Sequence, residues 1–449
     1  MKKYIFFVVG VMCTLLSHTV YAIDLNKSDA NIIGHVLEKK TGEHLPYMTV
    51  ALKGTTIGTM TDGTGHYFLK NLPEGEFILS VSAVGYKPQE RKVTLKRGKT
   101  LEENFELEED MVALDGVVVT ANRNETARRL APTLVKVVTP KLFDMTNSHT
   151  LSQGLVFQPG VRVENDCQNC GYSQVRINGM DGKYTQILID SRPIFSALAG
   201  VYGLEQIPAN MIERVEVVRG GGSALFGSSA IAGTVNIITK EPLRNSGSFA
   251  HSISNFDGSG SFDNNTTLNL SLVSSDNKMG AYIYGQNRHR SAWDSNGDSF
   301  SELPKLKNQT VGVNAYYRLS PYSKLNLEYH HMEEFRRGGN RFDLPPHIAE
   351  DANLNGSGEP GLVEQIEHSI NTGGLKFSAF SKDQKHAFNA YASAQHIVRD
   401  SYYSAYGHTT DFTGVLGAQY IYHFDKLFFM PSDLTGGVAC HIVAVWLIL

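Results

Sequence analysis

Residues 212 to 240 read IERVEVVRGGGSALFGSSAIAGTVNIITK, and the fold turns on what the glycines in this stretch are for. A strand over Val215 to Arg219 runs into Gly220-Gly221-Gly222, the kind of turn that can cradle a phosphate. No Gly-Lys-Ser/Thr follows, however, and Leu225 stands where the third glycine of a dinucleotide fingerprint belongs. The glycines are therefore read as permission for tight turns, and a nucleotide site is set aside. Glu213, Arg214, Glu216 and Arg219 alternate in charge along the strand. Strands over Gln174 to Asn178 and Thr185 to Ile189, and a short helix opening at Thr150 to Gln153, make residues 125–240 a mixed α+β unit.

Downstream the period changes to two. Val311-Gly312-Val313-Asn314-Ala315-Tyr316-Tyr317 and Ala387-Phe388-Asn389-Ala390-Tyr391-Ala392 alternate apolar with polar. Such segments are expected near 245–256, 261–274, 279–292, 307–319, 323–336, 367–380, 385–398 and 412–425. Ser275 to Lys278, Ser320 to Ser323 and Ser381 to Gln384 give short connections. Trp293 to Leu306, Arg337 to Glu367 and Arg399 to Asp411 give long polar ones. Short turns at one end and long loops at the other are the pattern of an outer-membrane β-barrel. The expected fold is mainly β: an N-terminal β-sandwich, an α+β unit, and over 241–449 the first strands of an antiparallel transmembrane barrel.

Upstream, Lys2 and Lys3 precede an apolar run from Tyr4 to Leu16 and a small-residue stop at Ala22. That is a signal peptide, residues 1–22, which predicts export. Residues 23–110 carry short β-branched runs at Ile33 to Val36, Tyr47 to Leu52 and Phe77 to Val81. Turn signals at Thr41-Gly42, Asp62-Gly63 and Pro73-Glu74-Gly75 separate them, the pattern of a small sandwich. In the linker, residues 111–124, Val117-Val118-Val119 follow Asp115-Gly116. This extended segment is able to add to a foreign sheet edge, with an ordinary strand of the preceding sandwich as the alternative.

The 449 residues carry 41 Lys+Arg against 45 Asp+Glu, a net charge of −4, with 41% apolar and 19% charged residues. That balance excludes wholesale disorder and gives no basic footprint for nucleic acid. No run reaches the roughly 20 apolar residues of a spanning helix. H-E-x-x-H and G-x-S-x-G are absent, and no enzyme is expected.

NIIGHVLEKKTGEHLPYMTVALKGTTIGTMTDGTGHYFLKNLPEGEFILSVSAVGYK (Asn31 to Lys87) resembles the carboxypeptidase regulatory-like domain. RINGMDGKYTQILIDSRPI (Arg176 to Ile194) and the 212–240 stretch resemble the plug of the TonB-dependent outer-membrane receptors, in the Bacteroidetes arrangement. The resemblance implies a receptor and transporter in the cell outer membrane, with outer-membrane lipid around its barrel, and makes Glu213, Arg214, Glu216 and Arg219 candidates to tie plug to barrel wall, with a solvated strand face as the alternative. It implies a TonB box at Asp115, Gly116, Val117, Val118, Val119 and Thr120, although Gly116 stands where an acidic residue is more usual. The implied partners are TonB with ExbB and ExbD, a metal-chelate ligand (siderophore, cobalamin or haem), and a surface lipoprotein. Tyr172, Phe195 and Tyr202 are candidates for ligand stacking, with packing against the barrel as the alternative. The glycan-importing branch is the alternative for substrate, but there a V-I-D-G motif is usual, and here Ser191 follows Ile189-Asp190.

Cys167 and Cys170 frame a C-x-x-C loop, which in an exported protein most simply closes a local disulfide. A redox site, without a thioredoxin-like strand-to-helix context around it, and ligation of a soft metal are the alternatives. Asp351, Asn353 and Asn355 open a calcium-loop pattern, but Leu362 occupies position twelve where a bidentate Glu belongs. Asp294, Asn296 and Asp298 repeat the spacing, with Glu302 nearby; structural calcium in these loops is weighed against plain hydrated loop composition. His330 and His331, adjacent on a strand, point to opposite faces and do not make a haem pair. A barrel of that family has roughly 22 strands, whereas 241–449 supplies eight and the start of a ninth at Asp433 to Val438. The closing VACHIVAVWLIL lacks strict alternation, so a truncated or frame-shifted product, acting at most as an exported binding module, is expected.

Overall fold

The computed structural model describes residues 30–46, 48–62, 64–83, 86–109, 117–118, 126–127, 135–167, 172–192, 207–221, 230–258, 260–354, 356, 358–383, 385–427 and 430–448. No helix among them is long and apolar enough to cross a membrane.

The first unit is a sandwich. Its strands are β1 (Ala30–Glu38), β2 (Thr49–Leu52), β3 (Gly58–Met60), β4 (His66–Leu72), β5 (Gly75–Ser82), β6 (Gln89–Leu95), β7 (Thr100–Glu102) and β8 (Phe105–Leu107). One sheet runs β4-β1-β7 with β8 also on β1, and the other runs β3-β2-β5-β6. Alternation decides which side chains face the gap: Phe77, Leu79 and Val81 point inward from β5 and meet Ile32, Val36 and Leu69 of the facing sheet.

Two short strands, β9 (Val117–Val118) and β10 (Thr126–Ala127), pair antiparallel in the linker. The α+β unit follows with β11 (Val135–Val138), α1 (Pro140–Met145), α2 (Leu151–Leu155), β12 (Val161–Cys167), β13 (Tyr172–Ile177), β14 (Thr185–Ile189), β15 (Ile212–Arg219) and β16 (Gly233–Thr239). Its sheet is ordered β11-β15-β16-β14, with β14 and β16 parallel, and β12-β13 form a separate hairpin. Gly154 lets α2 approach α1, because a Cβ there would lie 2.3 Å from the Phe143 ring.

The last unit is a single antiparallel sheet. Among the described residues it has nine strands in chain order: β17 (Ser246–Asn255), β18 (Phe262–Val273), β19 (Met279–Arg290), β20 (Lys305–Ser320), β21 (Ser323–Gly339), β22 (Val363–Phe380), β23 (His386–Tyr403), β24 (Tyr406–Leu427) and β25 (Met430–Ile448). A strand needs about 9–11 residues to cross a bilayer, and every one of the nine has at least 10. The helix α3 (Pro346–Glu350) lies in the long β21–β22 connection. The sheet is inside out relative to a water-soluble one. Leu268, Leu270, Leu272, Val311, Leu327 and Leu375 are exposed, while Asn265, Gln286, Arg288, Asn308, Thr310 and Gln395 are buried. Apolar side chains outward and polar ones inward is the signature of a barrel wall in lipid.

Two expectations are corrected here. The polar stretch Arg399 to Asp411 is not a long loop. β23 and β24 continue through it and turn at residues 404–405, where Ser404 takes φ +58°. Its Tyr and Thr residues favour strand, and their polarity reflects strands that continue beyond the apolar band. The closing run is not foreign to the sheet either: β25 pairs with β24 from Leu427↔Met430 to His408↔Ile448. Residues 433–443, 445 and 446 are exposed on both faces of the strand, which matches the lack of alternation in the sequence. The long connections at 291–304 and 340–362 are as expected.

Candidate functional site: the seam between plug and wall

The α+β unit seats its sheet against the polar inner face of the wall. Tyr282 and Tyr284 alternate inward from β19 and join the core of Met211, Ile212, Val215 and Ile237. The phenol of Tyr282 donates to the Asn210 carbonyl at 2.8 Å, and Asn210 Nδ2 donates to Asn269 Oδ1 at 2.9 Å and the Gly285 carbonyl at 3.1 Å. Asn210 belongs to the single 3-10 turn that leads into β15, so this seam fixes the start of the strand.

A buried ion pair makes the second attachment. After β14 the chain turns at Asp190 and Ser191, with φ of +46° and +65°, and delivers Arg192 toward β21. Arg192 Nη2 pairs with Glu328 Oε2 at 2.5 Å and lies 3.7 Å from Asp190 Oδ2. Burial works against the guanidinium charge, but Glu328 and Asp190 outweigh it and raise the Arg192 pKa. Gly374 of β22 makes the room, since a Cβ there would sit 2.4 Å from Glu328 Oε1 and 2.7 Å from Arg192 Nη1.

A third attachment follows β16. Lys324 Nζ lies 2.7 Å from Glu241 Oε1, and Asn326 Nδ2 donates to the same oxygen at 3.0 Å. Burial would raise the Glu241 pKa, but Lys324 and Asn326 prevail and hold it down at about 2. At the opposite end, His149 Nε2 is 3.3 Å from Ser252 Oγ, and Gln286 Nε2 donates to the His149 carbonyl at 3.4 Å. Burial, with the Arg288 guanidinium next in weight, lowers the His149 pKa.

Two of the charges singled out on β15 pair with each other. Arg214 Nε pairs with Glu216 Oε1 at 2.8 Å within the strand, and Glu216 is fully buried. Among the described residues, Arg192, Asn210, Glu241 and His149 attach the unit to the wall. No local pattern announces these residues; Arg192 and Glu328 lie 136 positions apart.

Of the box residues, Val117 and Val118 form β9, opposite Ala127 and Thr126, whereas Asp115, Gly116, Val119 and Thr120 lie outside the described residues. The backbone of Cys167 ends β12 across from Tyr172 at the start of β13. Cys170, Phe195 and Tyr202 lie outside the described residues, as does Asn355. The Asp351 carboxylate accepts the Asn353 amide at 2.8 Å and the Leu354 amide at 3.4 Å. The second acidic loop brings carboxylate oxygens of Asp294, Asp298 and Glu302 within 4.8 Å of one another.

Residues 32–119 match the family model of the CarboxypepD_reg-like domain, and residues 127–234 that of the TonB-dependent receptor plug domain. The chain is 32% identical over 229 residues to a vitamin B12 transporter of Vibrio vulnificus, covering 44% of this chain and 37% of that protein. With a vitamin B12 transporter of Photobacterium profundum it shares 37% identity over 128 residues, covering 28% and 20%. Its fold is similar to the siderophore receptor PirA from Acinetobacter baumannii, with a TM-score of 0.58 at 19% identity over 70% of this chain and 48% of that one. The alcaligin outer-membrane receptor FauA from Bordetella pertussis gives 0.57 at 14% identity, over 73% and 50%. The chain thus spans half or less of the length of these proteins.

Proposed function

We propose that the protein, which carries a TonB-dependent receptor plug domain over residues 127–234 and is homologous to vitamin B12 transporters, is an outer-membrane receptor that serves uptake of a scarce metal chelate, cobalamin or a ferric siderophore, driven by TonB. The observation that carries this reading is the plug sheet held on the polar inner face of the wall by a small number of discrete attachments. Such a seam blocks a pore at rest and can be released without unfolding the wall.

In this reading the ligand binds on the long-loop side, where Tyr172, Phe195 and Tyr202 are proposed to meet it. The segment Asp115 to Thr120 presents itself to TonB on the other side. Val117 and Val118, already extended, exchange the short Thr126–Ala127 partner for a strand of TonB. Backbone bonds then supply most of the affinity, and tension on the segment loosens the plug. The chemistry is binding and displacement. Support comes from the relatives, named as vitamin B12 transporters and siderophore receptors.

The test is uptake in a host stripped of its own cobalamin and siderophore receptors and supplied with the whole gene. Growth on one limiting chelate is expected, with loss of growth but not of chelate binding in Val118→Pro, which cannot complete an added ladder. Growth unaffected by Val118→Pro would refute TonB coupling through this segment. Failure to bind either chelate would refute the substrate class.

A further inference from the structure

The outer face of the N-terminal sandwich gathers three histidines that the uptake reading does not use. His35 on β1 stands directly opposite His66 at the start of β4. His44 bridges to Leu37, two residues along the same face of β1. The ring centroids are 5.2 Å (His35 to His44), 5.7 Å (His35 to His66) and 4.9 Å (His44 to His66) apart. None of the three contributes to the sandwich core, and His44 and His66 are exposed. The His44 and His66 rings stack at 27°, and His35 meets His66 edge-on at 68°.

From this geometry we propose that His35, His44 and His66 form a binding site for a divalent late transition-metal ion, Zn(II) or Cu(II), on the sandwich. Three arguments support it. Imidazoles bound tetrahedrally at the usual Zn–N distance have ring centroids about 5 Å apart. The observed spacings are close to that value, with His44 and His66 stacked at 27°, so closing on an ion takes rotation of the rings. Next, His66 is set in the right tautomer. Its Nδ1 lies 3.0 Å from the Thr64 carbonyl oxygen and 3.1 Å from Thr64 Oγ1, whose own proton goes to Asp62 Oδ1 at 2.7 Å; both neighbours of Nδ1 therefore accept, which favours the proton on Nδ1 and leaves the lone pair on Nε2. A backbone carbonyl on the far nitrogen is the usual support of a metal-bound histidine. Finally, the ring nitrogens of His35 and His44 have no hydrogen-bond partner among the described residues and are free to turn.

The surrounding turn is built to hold this arrangement. Asp62 Oδ1 accepts the amides of Thr64 at 2.8 Å and His66 at 3.0 Å, which fixes the 62–66 turn. Gly65, at φ +77°, brings that turn against His44; a Cβ would lie 2.8 Å from the His44 Cβ. Three neutral imidazoles suit Zn(II) and Cu(II) rather than calcium or magnesium, and leave a fourth position for water.

The test uses the whole chain without a histidine tag, purified in detergent and freed of metal. Zn(II) titrated by calorimetry is expected to fill one tight site. Each of His35→Ala, His44→Ala and His66→Ala should weaken it at least tenfold, and the triple variant should remove it. The Cu(II)-loaded protein should show nitrogen hyperfine structure in its electron paramagnetic resonance spectrum. Diethyl pyrocarbonate labelling of the unmutated chain, read by mass spectrometry, should show all three histidines protected by Zn(II). This readout needs no variant to fold. Equal Zn(II) binding by the triple variant, or no protection of the three rings, would overturn the proposal.

Discussion

Ser191 and Ser404 both take a left-handed backbone, and their surroundings give them opposite sensitivities. Ser191 (φ +65°) accepts Asn236 Nδ2 at 3.1 Å through its hydroxyl, while its amide donates to Asn236 Oδ1 at 2.9 Å. Ser404 (φ +58°) makes no side-chain hydrogen bond among the described residues. Glycine relieves roughly 1 kcal/mol at such a conformation. Ser404→Gly is therefore expected to stabilise by about that amount, whereas Ser191→Gly should be nearly neutral, because losing its hydrogen bond costs about 1 kcal/mol. Thermal unfolding in detergent measures both, and a stabilised Ser191→Gly would show that the Asn236 bond contributes nothing. For the Arg192–Glu328 pair, the side chains are 5% and 17% exposed, so removing one partner strands a buried charge. Arg192→Ala should cost about 3–5 kcal/mol of plug attachment, and the apolar double change Arg192→Met with Glu328→Leu much less. Protease release of the plug, compared across the three proteins, separates the two outcomes. The tight turn at 190–191 was visible in the sequence only as the unexpected Ser191. The partner that justifies it, Asn236, lies 45 residues away and left no local mark.

At the scale of elements, alternation carried most of the reading, because a wall strand shows lipid to one face and polar groups to the other. β18 to β23 lie close to where that period places them. It failed where one face ceases to meet lipid, at the β23–β24 hairpin, and at the edge strand β25, where Val438, Ile442, Val443, Val445 and Trp446 are all exposed. The α+β unit was legible as a unit, but its seam with the wall was not, since each attachment joins residues distant in sequence. That seam has a pH dependence of known sign. His149 has its pKa lowered by burial and by Arg288, so the unfolded form binds the proton more tightly. The stability it contributes is present above its unfolded pKa of about 6.5 and is lost as pH falls below that value toward the lowered folded pKa. Plug release should therefore rise between neutral pH and mild acid, and His149→Gln should flatten that part of the profile. Glu241, held at about 2, stays ionised over the same range and contributes no slope there.

In the whole molecule the sandwich rests on the short-turn end of the wall. The Thr56 amide donates to the Pro321 carbonyl at 2.8 Å, and Tyr322 packs against the sandwich core. Tyr322→Ala is expected to free the sandwich, seen as faster proteolysis between residues 108 and 135 while the wall stays intact; unchanged cleavage would show that the contact bears no load. The same contact defines a path for mechanical force. Tension applied at Val117 and Val118 cannot simply drag the sandwich along, because that domain is braced on the wall, so the pull arrives at β11. This strand is an outer edge of the plug sheet, joined by four register pairs, Val135↔Val218 to Val138↔Val215, over the small cluster of Val135, Val137 and Val218. The Arg192–Glu328 anchor follows β14, the opposite edge of the same sheet. One margin of the plug sheet is thus anchored to the wall and the other is held by a short ladder, so a pull of the kind proposed would peel the sheet open from one side and leave it tethered on the other.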